Sequence, residues 1–124
     1  MKIVERKKVL IVDDNEINIL LLCEMLNDYG IETLTAFSGK EALEQINTST
    51  PDMVISDLMM PGMDGIELLS EIKSNIRNID LPVIIVTANN DQGLIQKALK
   101  KGAAAFLIKP MNFQELENDV ISRL

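Results

Sequence analysis

Histidine is missing from this chain altogether. Its absence excludes a histidine-based catalytic triad, a histidine-ligated zinc site and any role as the phosphohistidine donor in a phosphoryl transfer. Cysteine occurs once, as Cys23, which excludes an internal disulfide and a Cys-x-x-Cys centre. Nothing therefore demands an oxidising compartment. Set mid-helix among leucines, Cys23 reads as a small buried hydrophobe rather than a redox sensor. Long apolar runs are lacking too. The first, Val9 to Val12, is four residues long and stops at Asp13-Asp14. A secretory signal needs roughly 7–15 apolar residues and a membrane span about 18. These absences predict no membrane association and make the cytoplasm the default location. Basic residues are in deficit, 12 against 19 acidic ones, for a net charge of −7. Such a balance argues against direct nucleic-acid binding and suits a cation or a basic partner.

The 124 residues allow one domain, taken as 1–124, and the 47% apolar and 25% charged content is that of a globular chain. Short apolar runs recur at Val9–Val12, Thr33–Ala36, Met53–Ser56, Val83–Val86 and Ala104–Ile108. All but the second are almost wholly apolar, as strands covered on both faces are. Helical spacing fills the intervals, with Ile17, Leu20, Leu21 and Met25 forming one stripe and Leu94, Ile95, Ala98 and Leu99 another. Ser38, Asp64 and Asn112 each stand three residues before a Glu, marking helix starts. Gly30 and Gly102 stand where helices close, and Pro51 and Pro82 just ahead of strands. These signals predict β1 8–12, α1 15–29, β2 32–36, α2 38–47, β3 53–57, α3 64–74, β4 82–87, α4 91–101, β5 104–108 and α5 112–123, with a frayed start over Met1 to Lys7. Alternating units of this kind give an α/β fold, a five-stranded parallel sheet with helices on both faces. Five strands favour the flavodoxin-like order 2-1-3-4-5, whose crevice opens between β1 and β3.

In such sheets the site lies outside the carboxyl ends of the strands. Those ends carry Asp13-Asp14 after β1, Asp57 on β3, Thr87 on β4 and Lys109 past β5. Taken singly, each has a plain structural account as turn former, cap, strand residue or solvated lysine. Together on one rim they form a reactive set. Three carboxylates in one crevice repel each other, which predicts a raised carboxyl pKa and calls for a cation. Hard oxygen ligands suit Mg²⁺, with Asp14 as a direct ligand and Asp13 reaching through a water. Asp57 is the natural nucleophile for an acyl phosphate. Lys109 and Thr87 supply an ammonium and a hydroxyl to phosphoryl oxygens.

The runs Val9-Leu-Ile-Val-Asp-Asp14, Asp57-Leu-Met-Met-Pro-Gly-Met-Asp-Gly65, Val86-Thr-Ala88 and Phe106-Leu-Ile-Lys-Pro110 resemble, over essentially the whole chain, the receiver domain of two-component response regulators. The run Asp14-Asn-Glu-Ile-Asn18 is similar to receivers found in hybrid histidine kinases. The resemblance implies that Asp57 takes a phosphoryl group from a phosphohistidine on a histidine kinase or histidine phosphotransfer protein. It implies Mg²⁺ held by Asp13, Asp14, Asp57 and the main-chain carbonyl of Met59, with Lys109 and Thr87 on the phosphoryl group. It also implies that Phe106 is the aromatic switch that moves inward with Thr87, and that the bond before Pro110 is cis. Phe106 lacks the hydroxyl that a Tyr would offer there. Met59 and Asn89 would tune the lifetime of the phosphorylated state. The signal would leave through the α4-β5-α5 face toward an output protein or domain, from a monomer or a weak phosphorylation-dependent dimer. The basic end of α4, with Lys97, Lys100 and Lys101, belongs to that face, although complementing the helix dipole is account enough for it. Met60 and Met63 read as core contacts that anchor their loop.

A dedicated enzyme is not expected. A Mg²⁺-dependent phosphohydrolase of related fold, the main alternative, generally shows Asp-x-Asp-x-Thr after β1, where this chain has Asp13-Asp14-Asn15-Glu16-Ile17. It also tends to carry a cap domain for which 124 residues leave no space. A flavin domain would need a phosphate loop where the two aspartates stand. A receiver-like fold without phosphorylation is disfavoured because every acidic and basic position is filled.

Overall fold

The computed structural model describes residues 6–88 and 90–124. Most of the expected frayed start, residues 1–5, and the tuning residue Asn89 lie outside the described residues. The strands are β1 (Lys8–Val12), β2 (Glu32–Ala36), β3 (Met53–Asp57), β4 (Val83–Thr87) and β5 (Ala105–Ile108). They form one parallel sheet in the order β2-β1-β3-β4-β5, as the strand count predicted. Between them run α1 (Glu16–Asn27), α2 (Gly39–Ser49), α3 (Gly65–Ser74) and α4 (Gln92–Lys100).

Side chains that alternate across each strand feed two separate cores. Leu10, Val12, Val54 and Ile85 face α2, α3 and α4, where Ala42, Ile46, Leu69, Ile72 and Ala98 cover them. Val9, Ile11, Ile55 and Ile84 face α1 and the C-terminal helical segment, against Ile19, Leu26, Leu116 and Val120. Burial on both faces is why the central strands read as unbroken apolar runs. β2, at the edge, is partly exposed, and its sequence is correspondingly mixed.

The caps follow the sequence signals. Asp64 and Glu67 form a reciprocal capping box, and Ser38 and Asn112 accept the main-chain N–H groups of Glu41 and Glu115. Gly30 and Gly102 adopt left-handed conformations at φ 77° and 104°. Thr50 ends α2 in the same region, which its residue type did not announce.

Two expectations need correction. Of the stripe assigned to α1, Ile17, Leu20 and Leu21 face outward, at 66%, 57% and 57% exposure. The core face is instead Ile19, Leu22, Cys23 and Leu26. The helix is apolar around most of its girth, so three-and-four spacing fits two stripes and cannot choose between them. Leu99 on α4 is likewise exposed, while Leu94 and Ala98 pack inward. The C-terminal segment is not one regular helix. A short α5 (Phe113–Glu115) continues as a π turn (Leu116–Val120) and a 3₁₀ turn (Ile121–Arg123). Apolar periodicity is blind to this change of hydrogen-bond register, because Leu116 and Val120 are fully buried all the same. The Tyr29 hydroxyl donates to Glu117 at 2.7 Å, joining the end of α1 to this segment.

α3 begins hard against the end of β3. The Gly65 N–H donates to the Leu58 carbonyl at 2.8 Å. A Cβ at Gly65 would lie 2.9 Å from the Leu58 Cα and closer still to the Asp57 carbonyl oxygen. Backbone atoms cannot swing aside as the end of a side chain can. Gly65→Ala should therefore destabilise the protein by about 1–3 kcal/mol through overpacking, outweighing the roughly 1 kcal/mol by which Ala exceeds Gly in a helix. Urea unfolding of parent and variant measures the difference.

Candidate functional site

The parallel arrangement brings the ends of β1, β3, β4 and β5 to one rim. Asp13 follows β1 and extends its ladder by one bond, from its N–H to the Ala36 carbonyl at 3.2 Å. Asp57 closes β3 beside Val86 of β4, and Thr87 closes β4 beside Ile108 of β5. The Lys109 N–H then donates to the Thr87 carbonyl at 2.8 Å, which carries the lysine just past the edge of the sheet. The Lys109–Pro110 bond is cis.

Of the residues singled out from sequence, Asp13, Asp14 and Asp57 each offer a carboxylate oxygen within 4.8 Å of the others. The Lys109 ammonium sits among them, 3.0 Å from Asp13 Oδ2 and 3.4 Å from Asp57 Oδ1. Asp57 Oδ1 also accepts the Leu58 N–H at 2.9 Å. Thr87 is buried, and its main-chain carbonyl is the acceptor of the Lys109 N–H. Phe106 is half-buried against the α2-α3-α4 core, one residue before the strand's inward Leu107. Met59 exposes 60% of its surface two residues past Asp57, while Met60 is buried and Met63 packs on the core, as their apolar character suggested. The expected division of labour in the Asp-Asp step is reversed in burial. Asp13 is the enclosed residue, 4% exposed and in direct contact with Lys109, and Asp14 stands in the open. Asp13 prolongs the inward geometry of the strand, whereas Asp14 lies in the turn beyond it.

The pKa of the Asp57 carboxyl is raised, as expected, but the leading cause differs from the expected repulsion. Removal from water pushes it up first, and the charge of Asp13 adds to that, while Lys109 pulls the other way.

A cavity of about 440 Å³ opens from the rim between α1 and the β5 end. Asp13, Asp57 and Lys109 line its inner end, and Leu21, Met25 and Met111 line its apolar wall. The crevice thus extends toward α1 rather than ending between β1 and β3. Sequence reasoning also passed over Asn18, whose side-chain amide donates to Asp13 Oδ2 at 3.2 Å. Its position five residues after Asp13, in the first turn of the next helix, was the one available signal.

The family model for the response regulator receiver domain matches residues 9–121. The chain belongs to this family. It is 39% identical over 114 residues to sporulation initiation phosphotransferase F of Bacillus subtilis, covering 92% of this chain and 90% of that protein. With hybrid signal transduction histidine kinase D of Dictyostelium discoideum it shares 33% identity over 114 residues, 92% of this chain but 7% of that one. Among solved structures, Vibrio cholerae chemotaxis protein CheY4 superposes with a TM-score of 0.90 at 30% identity, covering 97% of this chain and 100% of that chain. The chain spans about a quarter of the length of the transcriptional regulators it matches. Receiver domains of response regulators accept phosphoryl groups on an aspartate and are signalling modules rather than dedicated enzymes. Their fold is the one found here, and an aspartate cluster able to hold a metal ion lies at the expected rim. Among the described residues no helix is long and apolar enough to cross a membrane.

Burial and Asp13 both penalise the ionised form of Asp57, which fixes the sign of its effect on stability. A folded pKa above the unfolded one gives stability that is complete below the unfolded value and is lost as pH rises through the folded value. In EDTA the parent should lose stability as pH climbs through the mildly acidic range, and Asp57→Asn, which has no charge to bury, should lose less. At neutral pH the variant should melt above the parent. Thermal melts from pH 4 to 8 decide it, and a variant melting below the parent would show that Asp57 is not under charge strain.

Proposed function

We propose that residues 1–124 form one receiver domain in which Asp57 is phosphorylated from a phosphohistidine on a histidine kinase or histidine phosphotransfer protein, with Mg²⁺ as cofactor. The observation that carries this reading is the Lys109 ammonium held between Asp13 and Asp57, at 3.0 and 3.4 Å, within a cluster of three carboxylates. A bare acidic cluster could serve several ends. An ammonium beside one nearly buried carboxylate on an apolar sheet suits a group that arrives carrying negative charge.

Asp57 is the nucleophile in this reading. Its Oδ1 is engaged by the Leu58 N–H and Lys109. An Asp57 oxygen forms the new O–P bond as the N–P bond of the donor breaks and the electron pair leaves with the imidazole nitrogen. Lys109 shifts from Asp13 and Asp57 onto a phosphoryl oxygen and neutralises charge there, and the Thr87 hydroxyl donates to another. Asp13, Asp14, Asp57 and the Met59 carbonyl would hold Mg²⁺, which screens the carboxylates and the incoming phosphoryl oxygens when bound. Later attack of water on phosphorus returns Asp57 and inorganic phosphate, so the chain assists both its own phosphorylation and its dephosphorylation. As Thr87 moves toward the phosphate it vacates space that Phe106 fills, and the change reaches α4, β5 and α5, where an output protein or domain would read it. The cytoplasm, where such donors work, is the location this implies. The domain would be a monomer or a weak dimer formed on phosphorylation.

Incubation with a small acyl phosphate and Mg²⁺ should add one phosphoryl group by intact mass. Neither EDTA-treated parent nor Asp57→Asn should gain it. Equal modification of the variant would remove Asp57 from the role.

Lys109→Ala should retain the fold, because the head group faces the crevice. It should blunt the change in amide exchange across α4, β5 and α5 on adding a phosphate mimic such as beryllofluoride. A full response in the variant would count against the lysine as the link.

A further inference from the structure

Asp13 is gripped by both ends of its carboxylate. Oδ1 accepts the Asn15 N–H at 2.9 Å. Oδ2 accepts the Lys109 ammonium at 3.0 Å and the Asn18 side-chain amide at 3.2 Å. A carboxylate only accepts, so the amide nitrogen of Asn18 must be the atom turned toward it. Asn18 is itself held in place. Asn15 caps α1, and its side-chain oxygen accepts the N–H groups of Ile17 at 2.9 Å and Asn18 at 3.2 Å. Residues 13 to 18 thus close a small circuit that joins the end of β1 to the first turn of α1.

The two donors on Oδ2 differ in kind. Lys109 brings a full positive charge, which opposes a divalent cation at the same carboxylate. It is also the group that the phosphoryl oxygens attract. Asn18 is neutral, so it can orient the carboxylate without competing for its charge. We propose that Asn18 is a positioning residue for the cation site. Its carboxamide fixes the angle at which Asp13 meets the metal and keeps Oδ2 partnered once Lys109 has moved to the phosphoryl group. The inference rests on the cation site of the proposed function. Donors that orient a metal's carboxylate ligands typically contribute 10–100-fold to metal affinity.

Asn18→Leu keeps the approximate shape and removes the donor. It should weaken binding of Mg²⁺ alone, measured by calorimetry without phosphodonor, by about tenfold. Its melting temperature in EDTA should stay near that of the parent, since the side chain is only half-buried on the first turn of α1. Asn18→Gln, with the same carboxamide on a longer stem, should recover most of the affinity. In phosphorylation assays the leucine variant should need more Mg²⁺ for half-maximal rate and approach the parental rate at saturation. A purely structural role would lower the EDTA melt and leave the Mg²⁺ dissociation constant alone, which overturns the inference. So does a glutamine variant as weak as the leucine one. A parent that shows no saturable Mg²⁺ binding overturns the cation site itself, whereas a parent that binds Mg²⁺ as tightly as Asn18→Leu overturns Asn18 alone.

Discussion

One ammonium balances the charge gathered at the rim of this sheet. A parallel sheet delivers all its carboxyl ends to one side, and in this chain three of the side chains gathered there are aspartates. Asp13 and Asp57 are nearly excluded from water, so neither can rely on solvent to screen the other. Lys109 bridges them. Its own position follows from the register of β5 on β4, which brings it to the Thr87 carbonyl. The buried pairings of Ile84 through Thr87 thereby set the charge balance of the site several residues away. Core packing and chemistry are here one constraint, since a slip of β5 by one residue would turn Lys109 away from the crevice.

Much of this was legible in the sequence, for physical reasons that can be named. Strands buried on both faces must be apolar throughout, so β1, β3 and β4 stand out as runs such as Val83–Val86. Unpaired N–H groups at helix starts need oxygen acceptors, so Ser38, Asp64 and Asn112 marked their helices. The reactive residues fall at strand ends, and a strand end can be located once the strand is known. Asp13, Asp57 and Lys109 lie together at that rim, and Thr87 closes the neighbouring strand.

What stayed hidden depends on three-dimensional phase or on close approach. The outward turn of Ile17, Leu20 and Leu21 could not be read from a helix apolar on nearly every side. The π turn at Leu116–Val120 changes hydrogen-bond register without changing which side chains are buried. The need for glycine at position 65 comes from the Asp57 backbone, eight positions earlier in the chain. The enclosure of Asp13 rather than Asp14 comes from where the β1 ladder stops, a matter of one residue that periodicity does not resolve.

The Tyr29–Glu117 hydrogen bond has an optical consequence. Tyr29 is the chain's one tyrosine, and there is no tryptophan. Its hydroxyl spans the seam between the end of α1 and the C-terminal segment, joining residues 88 positions apart. The bond to Glu117 raises the phenol's pKa, because a proton already shared with a carboxylate is harder to remove. Tyrosine emission from this protein therefore comes from a single side chain at a single joint. Quenching or recovery of that emission tracks the seating of the last helical segment on the first, with no engineered label.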